Sequence, residues 1–269
     1  MSAMEGRKGN TINICVGHLA FPSDFRNYVD LMIAPCIIND REHVRVVDDN
    51  YFGEYGSSLS EYSQLLWLYD QFDAIIGEYD YVRILQYRKF VARRQIGEPS
   101  SNQGWARWIR ENQLRDCPEE FSRFSTSELF NTAFTLGEGI LYHYATYHVL
   151  SDFINFSKFL LDYEILDSQE VARFMTGSIL IPASSMGVFR RETLREILAP
   201  LRRAAEFIKT PYFVPRTDYQ RRVLGFLLER LNSYLILSRI DADLSEGNFG
   251  HHTILSDGPI IEPTSGPIG

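Results

Sequence analysis

The chain is poor in cysteine. Cys15, Cys36 and Cys117 are its three, and no two of them form a C-x-x-C pair or stand at zinc-finger spacing. That excludes a disulfide framework and a thiolate metal site, and it fits thiols kept reduced in a cytosol. No apolar run reaches roughly 18 residues, so no membrane-spanning helix is expected, and the N-terminus carries no secretory pattern. A cytoplasmic location follows as the expectation, with peripheral contact at the inner face of a membrane still compatible. Positive charge is also in deficit: 27 Lys and Arg stand against 35 Asp and Glu, a net charge of -8. Nucleic acid is therefore disfavoured as a partner. The pattern G-x-G-x-x-G is absent, which argues against a dinucleotide fold, and there is no internal repeat or heptad.

What is present suffices for a large core. Hydrophobic residues make up 45% of 269, and charged residues, at 23% with mixed signs, argue against disorder. Residues 1–10 read as a loose leader. Ile12 to Val16 is a short apolar run closed by Gly17-His18, a strand and turn of the kind at which a Rossmann-like sheet receives a nucleotide. Tyr28 to Ile38 fits a helix or a buried strand equally. His43 to Val47 reads as a strand leading into Asp48-Asp49. Ser60 is placed to cap a helix carrying Leu65, Leu66, Leu68, Phe72 and Ile76. Residues 95–120 read as an irregular loop, facing substrate or simply inserted at the surface. Tyr147 to Leu161 has helical spacing, Phe174 to Pro182 the composition of a strand, and Phe189 to Ile208 an amphipathic pattern. Asp218 to Leu237 is the longest helical segment, and the Gly- and Pro-bearing tail from Asp241 is expected to be loosely ordered. The expected organisation is one domain over residues 1–269.

The organising stretch is Asp80 to Arg94. A β-branched apolar run, Tyr81 to Tyr87, surfaces into Arg88, Lys89, Arg93 and Arg94. Open α/β sheets place ligands where buried strands surface at their C-terminal ends. A local cationic site on an acidic protein suits a small anion such as a phosphate. The alternative is a solvated strand end whose cations pair with neighbouring acids.

Four blocks in order carry a resemblance. Ser60-Glu61-Tyr62-Ser63-Gln64-Leu65-Leu66-Trp67-Leu68-Tyr69 precedes Asp80-Tyr81-Val82-Arg83-Ile84-Leu85-Gln86-Tyr87-Arg88-Lys89-Phe90. Tyr144 to His148, with Asp152, comes next, and Gln220-Arg221-Arg222-Val223-Leu224-Gly225-Phe226-Leu227-Leu228-Glu229-Arg230-Leu231 closes the series. Over roughly residues 12–237 this resembles the family DUF4422, glycosyltransferases of bacterial capsule and cell-surface polysaccharide loci. The family's strand reads D-Y-[IV]-G-L-x-H-Y-R-R. Here its glycine is Arg83, its histidine Gln86 and its second arginine Lys89, and Gln86 neither titrates nor ligates a metal as histidine does.

The resemblance implies a GT-A-like, Rossmann-related α/β fold with a mixed, mostly parallel sheet flanked by helices. It also implies sugar transfer from a nucleotide sugar to a glycan or lipid-linked glycan acceptor. Such transfer needs charge stabilisation on the leaving diphosphate and, for inversion, a base for the acceptor hydroxyl. Many enzymes of this fold hold Mg²⁺ or Mn²⁺ with a D-x-D motif after a central strand. Here the corresponding position reads Gln86-Tyr87-Arg88, so Arg88 and Lys89 in place of a metal are the favoured arrangement. Asp241-Ala242-Asp243 spells D-x-D but follows the last long helix, and His251-His252 are weak as ligands. Donor contacts are expected from Val16, Gly17, His18, Asp48, Asp49, Glu61, Gln86, Arg88 and Lys89. His148, Asp152 and Glu229 are the catalytic candidates. His148 and Asp152 are four apart, as a base and its orienter on one helical face or as ordinary packing residues. Arg222 and Arg230 are candidates for acceptor contact or for supporting the site. The alternative reading is a non-catalytic nucleotide-sugar or glycan-binding protein.

Overall fold

In the computed structural model of the chain, residues 9–17, 25–34, 44–47, 53–101, 104–240 and 248–256 are described. The strands are β1 (Gly9–Val16), β2 (Leu31–Ala34), β3 (Val44–Val46), β4 (Tyr81–Gln86), β5 (Lys89–Ala92), β6 (Glu98–Pro99), β7 (Ala106–Arg110), β8 (Phe124–Ser125), β9 (Leu129–Phe130), β10 (Phe134–Thr135), β11 (Ile179–Leu180), β12 (Gly187–Arg190) and β13 (His251–Ser256). The helices are α1 (Tyr62–Asp70), α2 (Phe72–Ile76), α3 (Glu111–Leu114), α4 (Gly139–Tyr147), α5 (Leu150–Asp162), α6 (Ser168–Thr176), α7 (Arg191–Ala204) and α8 (Val223–Leu237). The central sheet runs β3-β2-β1-β4-β5-β13-β7-β6. It is mixed, and its longest ladders, β1 with β4 and β13 with β7, are parallel. The fold is α/β.

β1 and β4 are nearly continuous apolar runs because helices or turns cover both faces of the sheet. On one face Ile12, Ile14, Val82 and Ile84 pack with residues of α1, α7 and α8. On the other, Cys15, Leu85, Phe90 and Leu255 pack with Leu114 and Phe121. Arg83 points into this second layer, where the family pattern has glycine. It is buried, and its Nη1 donates to Asn13 Oδ1 at 2.7 Å and to the Ser122 carbonyl at 3.0 Å. Burial pushes its guanidinium down to about 10, so it stays charged at neutral pH.

The chain leaves β1 for β2 and β3 on one side, then returns through α1 and α2 to β4 on the other side of β1. The C-terminal ends of β1 and β4, with Val16 opposite Gln86, therefore form the topological switch point, where the strand order reverses and a crevice opens. Helix α8 closes onto this edge. A Cβ on Gly225 would lie 3.0 Å from Ser60 Cβ and 3.1 Å from the Leu59 carbonyl oxygen. Only a glycine lets α8 come this close to the turn before α1.

Several sequence expectations change. Within the expected strand at 43–47, residues 44–46 form β3, and β2 stands between it and β1. Ser60 does not cap α1; it sits at φ 55°, and the position before the helix is Glu61. Residues 95–120 are not one loop, since β7 pairs with β13 inside the sheet. Phe174 lies inside helix α6, which runs on to Thr176, and strand β11 starts only at Ile179. The tail beyond Asp241 is not wholly loose, because residues 251–256 are inserted between β5 and β7.

Candidate functional site

The crevice at the β1–β4 edge gathers residues from four parts of the chain. Gln86, last in β4, donates from Nε2 to Glu61 Oε1 at 3.1 Å. Arg222, just before α8, reaches Glu61 Oε2 at 3.8 Å and donates to Ser60 Oγ from Nε and Nη2 at 3.1 and 2.6 Å. Lys89 opens β5 directly opposite Gln86. Burial lowers the pKa of its ammonium, while Glu61 and Glu229 push it back up and Arg88 and Arg222 push it down. Lys89 thus feels two carboxylates and two other cations. Glu229, on α8, accepts from the Ala183 N–H at 2.7 Å and from Arg230 Nη1 at 2.8 Å. Beneath them Tyr62 lies buried, its hydroxyl 3.4 Å from Ser184 Oγ and accepting from Asn232 Nδ2 at 3.3 Å.

Two backbone positions beside this cluster are strained. Ser60 and Ala183 hold φ at 55° and 45°, the left-handed region that costs a residue with a Cβ on the order of 1–3 kcal/mol. Each is tied to a crevice side chain, Ser60 to Arg222 and Ala183 to Glu229. Glu164 and Asp218 share the conformation outside this cluster, so the strain at Ser60 and Ala183 matters here for the side chains it positions.

The cationic stretch splits in two. The chain turns at Tyr87-Arg88 and β5 runs back antiparallel to β4, so its two ends lie on opposite edges of the sheet. Arg88 is exposed beside the crevice, with its guanidinium 5.3 Å from the Tyr87 ring centroid, and it has no carboxylate partner among the described residues. Arg93 and Arg94 come out at the far edge, where the buried Glu120 accepts from both backbone N–H groups and Arg94 also pairs with Glu119. They cannot serve the same ligand as Arg88.

The expected His148–Asp152 pair does not form. The chain breaks between α4 and α5 at His148, which is extended at φ -140° and ψ 176°. His148 instead stacks on Phe226, with centroids 4.2 Å apart, and its Nδ1 lies 3.3 Å from Gln220 Oε1. Burial and the charge of Arg230 push it down to about 4, so it is neutral and a weak base at physiological pH. Asp152 is buried at the start of α5 and held by Arg216 through two bonds of 3.1 and 2.7 Å. Arg230 is 5% exposed and turned toward Glu229, the Phe226 carbonyl and the Tyr144 ring, so it supports Glu229. His18, Asp48, Asp49 and the Asp241-Asp243 pair lie outside the described residues. Among the described residues no group of three or more His, Cys, Asp or Glu comes together as a metal site would require.

Sequence reasoning missed Ser60, Tyr62, Ala183, Ser184 and Asn232. A signal for the 183–186 turn existed, since Ser184, Ser185 and Gly187 follow an apolar run. Nothing local marked it as the partner of Glu229.

The half-buried His148 and the buried His252 make stability pH-dependent. Unfolded, they titrate near pH 6.5; folded, His148 titrates near 4 and His252 near 3. Below pH 6.5 the unfolded chain binds protons that the folded chain refuses, so stability falls as pH drops toward 4. Urea unfolding at pH 7 and pH 5 should show the loss, and His148→Phe, which keeps the stack on Phe226, should reduce it. An unchanged pH slope in the variant would remove His148 as a cause.

No family model and no curated protein matches the chain. Among solved structures it superposes on the WbbM bifunctional glycosyltransferase in its apo form, with a TM-score of 0.64 and 14% identity. The match covers 92% of this chain and 46% of that one, so this chain spans less than half the length of its structural neighbour. At that identity the likeness is one of fold: the chain has a glycosyltransferase fold.

Proposed function

We propose that this chain is a glycosyltransferase that moves a sugar from a UDP- or dTDP-type donor to a bacterial surface-polysaccharide intermediate, glycan or lipid-linked. The observation that carries the reading is the convergence of Lys89, Arg222 and the neighbouring Arg88 with Glu61 and Glu229 at the β1–β4 switch point. The glycosyltransferase fold and the four-block family resemblance support it. In this reading the diphosphate lies over the ends of β1 and β4, near Val16 and Gly17, with Arg88 and Lys89 on its oxygens. Glu61, held by Gln86 and Arg222, faces the donor. Glu229 is the base. It takes the proton of an acceptor hydroxyl as that oxygen bonds to the anomeric carbon, the bond from that carbon to the phosphate oxygen breaks, and the electron pair stays on the departing diphosphate. Arg88 and Lys89 grip more strongly as that charge accumulates, which is the differential stabilisation that speeds a reaction.

A second reading, a nucleotide-sugar or glycan-binding protein without turnover, is favoured by Gln86, an amide where the family has histidine, locked onto Glu61. Calorimetric titration with UDP, dTDP, GDP and CDP, followed by turnover of the matching nucleotide sugar, separates the two. Binding without turnover supports the second reading, and no nucleotide binding at all overturns both as they concern the donor. Because cations of the chain itself meet the diphosphate, nucleotide affinity should survive EDTA. Affinity lost in EDTA and restored by Mn²⁺ would end the metal-independent reading and turn attention to Asp48 and Asp49.

A further inference from the structure

The sheet does not end at the crevice. β13 lies between β5 and β7, with Ile254 opposite both Lys89 and Trp108, and His252 opposite Val91 and Ala106. Residues directly opposite in a ladder share a face. Gln86, Lys89, Ile254 and Trp108 therefore form one row on the face that Glu61 covers, and His252 stands in the next row.

His252 is held in a defined state. The Asn131 side-chain nitrogen lies 2.6 Å from the Pro182 carbonyl oxygen, which only accepts, and the Asn131 Oδ1 accepts from the Thr132 N–H at 2.9 Å. That fixes which end of the amide is nitrogen. The same nitrogen stands 2.9 Å from His252 Nδ1, so Nδ1 accepts and a neutral ring carries its proton on Nε2. Burial together with Lys89 keeps the ring neutral. His252 is 1% exposed, yet among the described residues its Nε2 has no hydrogen-bond partner, and neither has the buried Nε1–H of Trp108. A buried donor left unmet costs about 1–3 kcal/mol, and two on one face call for an explanation. The half-buried Trp105 leans edge-on against the imidazole, with centroids 4.7 Å apart. Pro182 precedes Ala183, whose N–H binds Glu229, so a short bonded path joins His252 to the crevice.

Two neutral N–H donors beside indole rings match a ligand with neutral oxygens and an apolar ring face. That is a pyranose, and a second phosphate would instead need the charge already gathered at Lys89 and Arg222. We infer that the β5–β13–β7 face is a carbohydrate subsite for the acceptor, in which His252 Nε2–H and Trp108 Nε1–H donate to pyranose hydroxyl oxygens once Trp105 turns away from the imidazole. This rests on the glycosyl-transfer reading and adds to it where the acceptor sits and what grips it.

The test uses the full chain, ¹⁵N-labelled at histidine, with methyl glucopyranoside, methyl galactopyranoside, methyl mannopyranoside and their disaccharides as probes, and UDP as a separate arm. The ¹⁵N shifts should report His252 protonated at Nε2, and at least one glycoside should shift that resonance and change tryptophan fluorescence. His252→Phe and Trp108→Phe should each weaken that glycoside about tenfold, the value of one hydrogen bond, with the UDP affinity unchanged. Circular dichroism controls for folding, and if one variant fails to fold the other still decides. A proton on Nδ1, no response of His252 to any glycoside, or undiminished glycoside affinity in the folded variants overturns the inference. UDP binding in such a case leaves the transferase reading standing, and its absence in the wild type removes that reading separately.

Discussion

Replacing Arg88 by alanine lowers donor turnover about 10²–10³-fold, the scale of removing one preorganised donor to a developing anion, and leaves the melting temperature nearly unchanged. Both halves follow from the turn that carries it. The backbone of Arg88 is anchored, since its carbonyl accepts from the Leu255 N–H at 2.7 Å, and that bond survives the substitution. The side chain is exposed and lies against the Tyr87 ring, an exposed cation–π contact worth about 0.5–1 kcal/mol. In the proposed complex its planar fork grips the diphosphate through two parallel bonds. Arg88→Lys keeps the charge and loses the fork, so it restores only part of the rate. The comparison is turnover of the donor identified by nucleotide titration, for wild type and both variants, with melting temperature as the control. Near-wild-type turnover in Arg88→Ala would reduce this residue to a solvated turn cation.

Arg216→Ala destabilises the fold by about 3 kcal/mol, the lower end for breaking a buried ion pair from one side. Asp152 is 3% exposed and its two oxygens are both taken by Arg216, so removing the guanidinium strands a carboxylate inside the protein. For a chain of this size the melting temperature should fall by roughly 6–12 °C. Asp152→Asn should cost less, because Arg216 is partly exposed and water can solvate the cation left behind. The folded fraction of Arg216→Ala should turn over donor at the wild-type rate, since the pair bridges α5 to the 210–217 segment and touches none of the crevice residues named above. Chemical denaturation gives the first quantity, and turnover normalised to folded protein gives the second. A stable variant with collapsed turnover would return Asp152 to the catalytic group from which its partner removes it.

How much of this was legible beforehand follows from the range over which each feature is decided. The strands β1 and β4, the helix after Glu61 and the long helix to Leu237 are local. Each is a run of apolar residues at the period its element requires, bounded by charge or glycine. The chemistry of the crevice was local only in part: Lys89 lies in a cationic run that composition marks, whereas Glu61, Gln86 and Arg222 were singled out by the resemblance of their blocks to the family. Local reading fails where the partner is remote. Asp152 takes its role from Arg216, 64 residues on, while spacing alone set it beside His148 on a helix that breaks between them. Arg93 and Arg94 left the ligand edge because β5 reverses direction and Glu120 waits at the other side. The Gly- and Pro-bearing tail has no periodicity to announce a strand. Its residues 251–256 become one because β5 and β7 leave a gap whose backbone N–H and C=O groups need partners. The tautomer of His252 depends on Asn131, which is set in turn by the carbonyl of Pro182, and three segments far apart in the chain meet only once the sheet has closed over them.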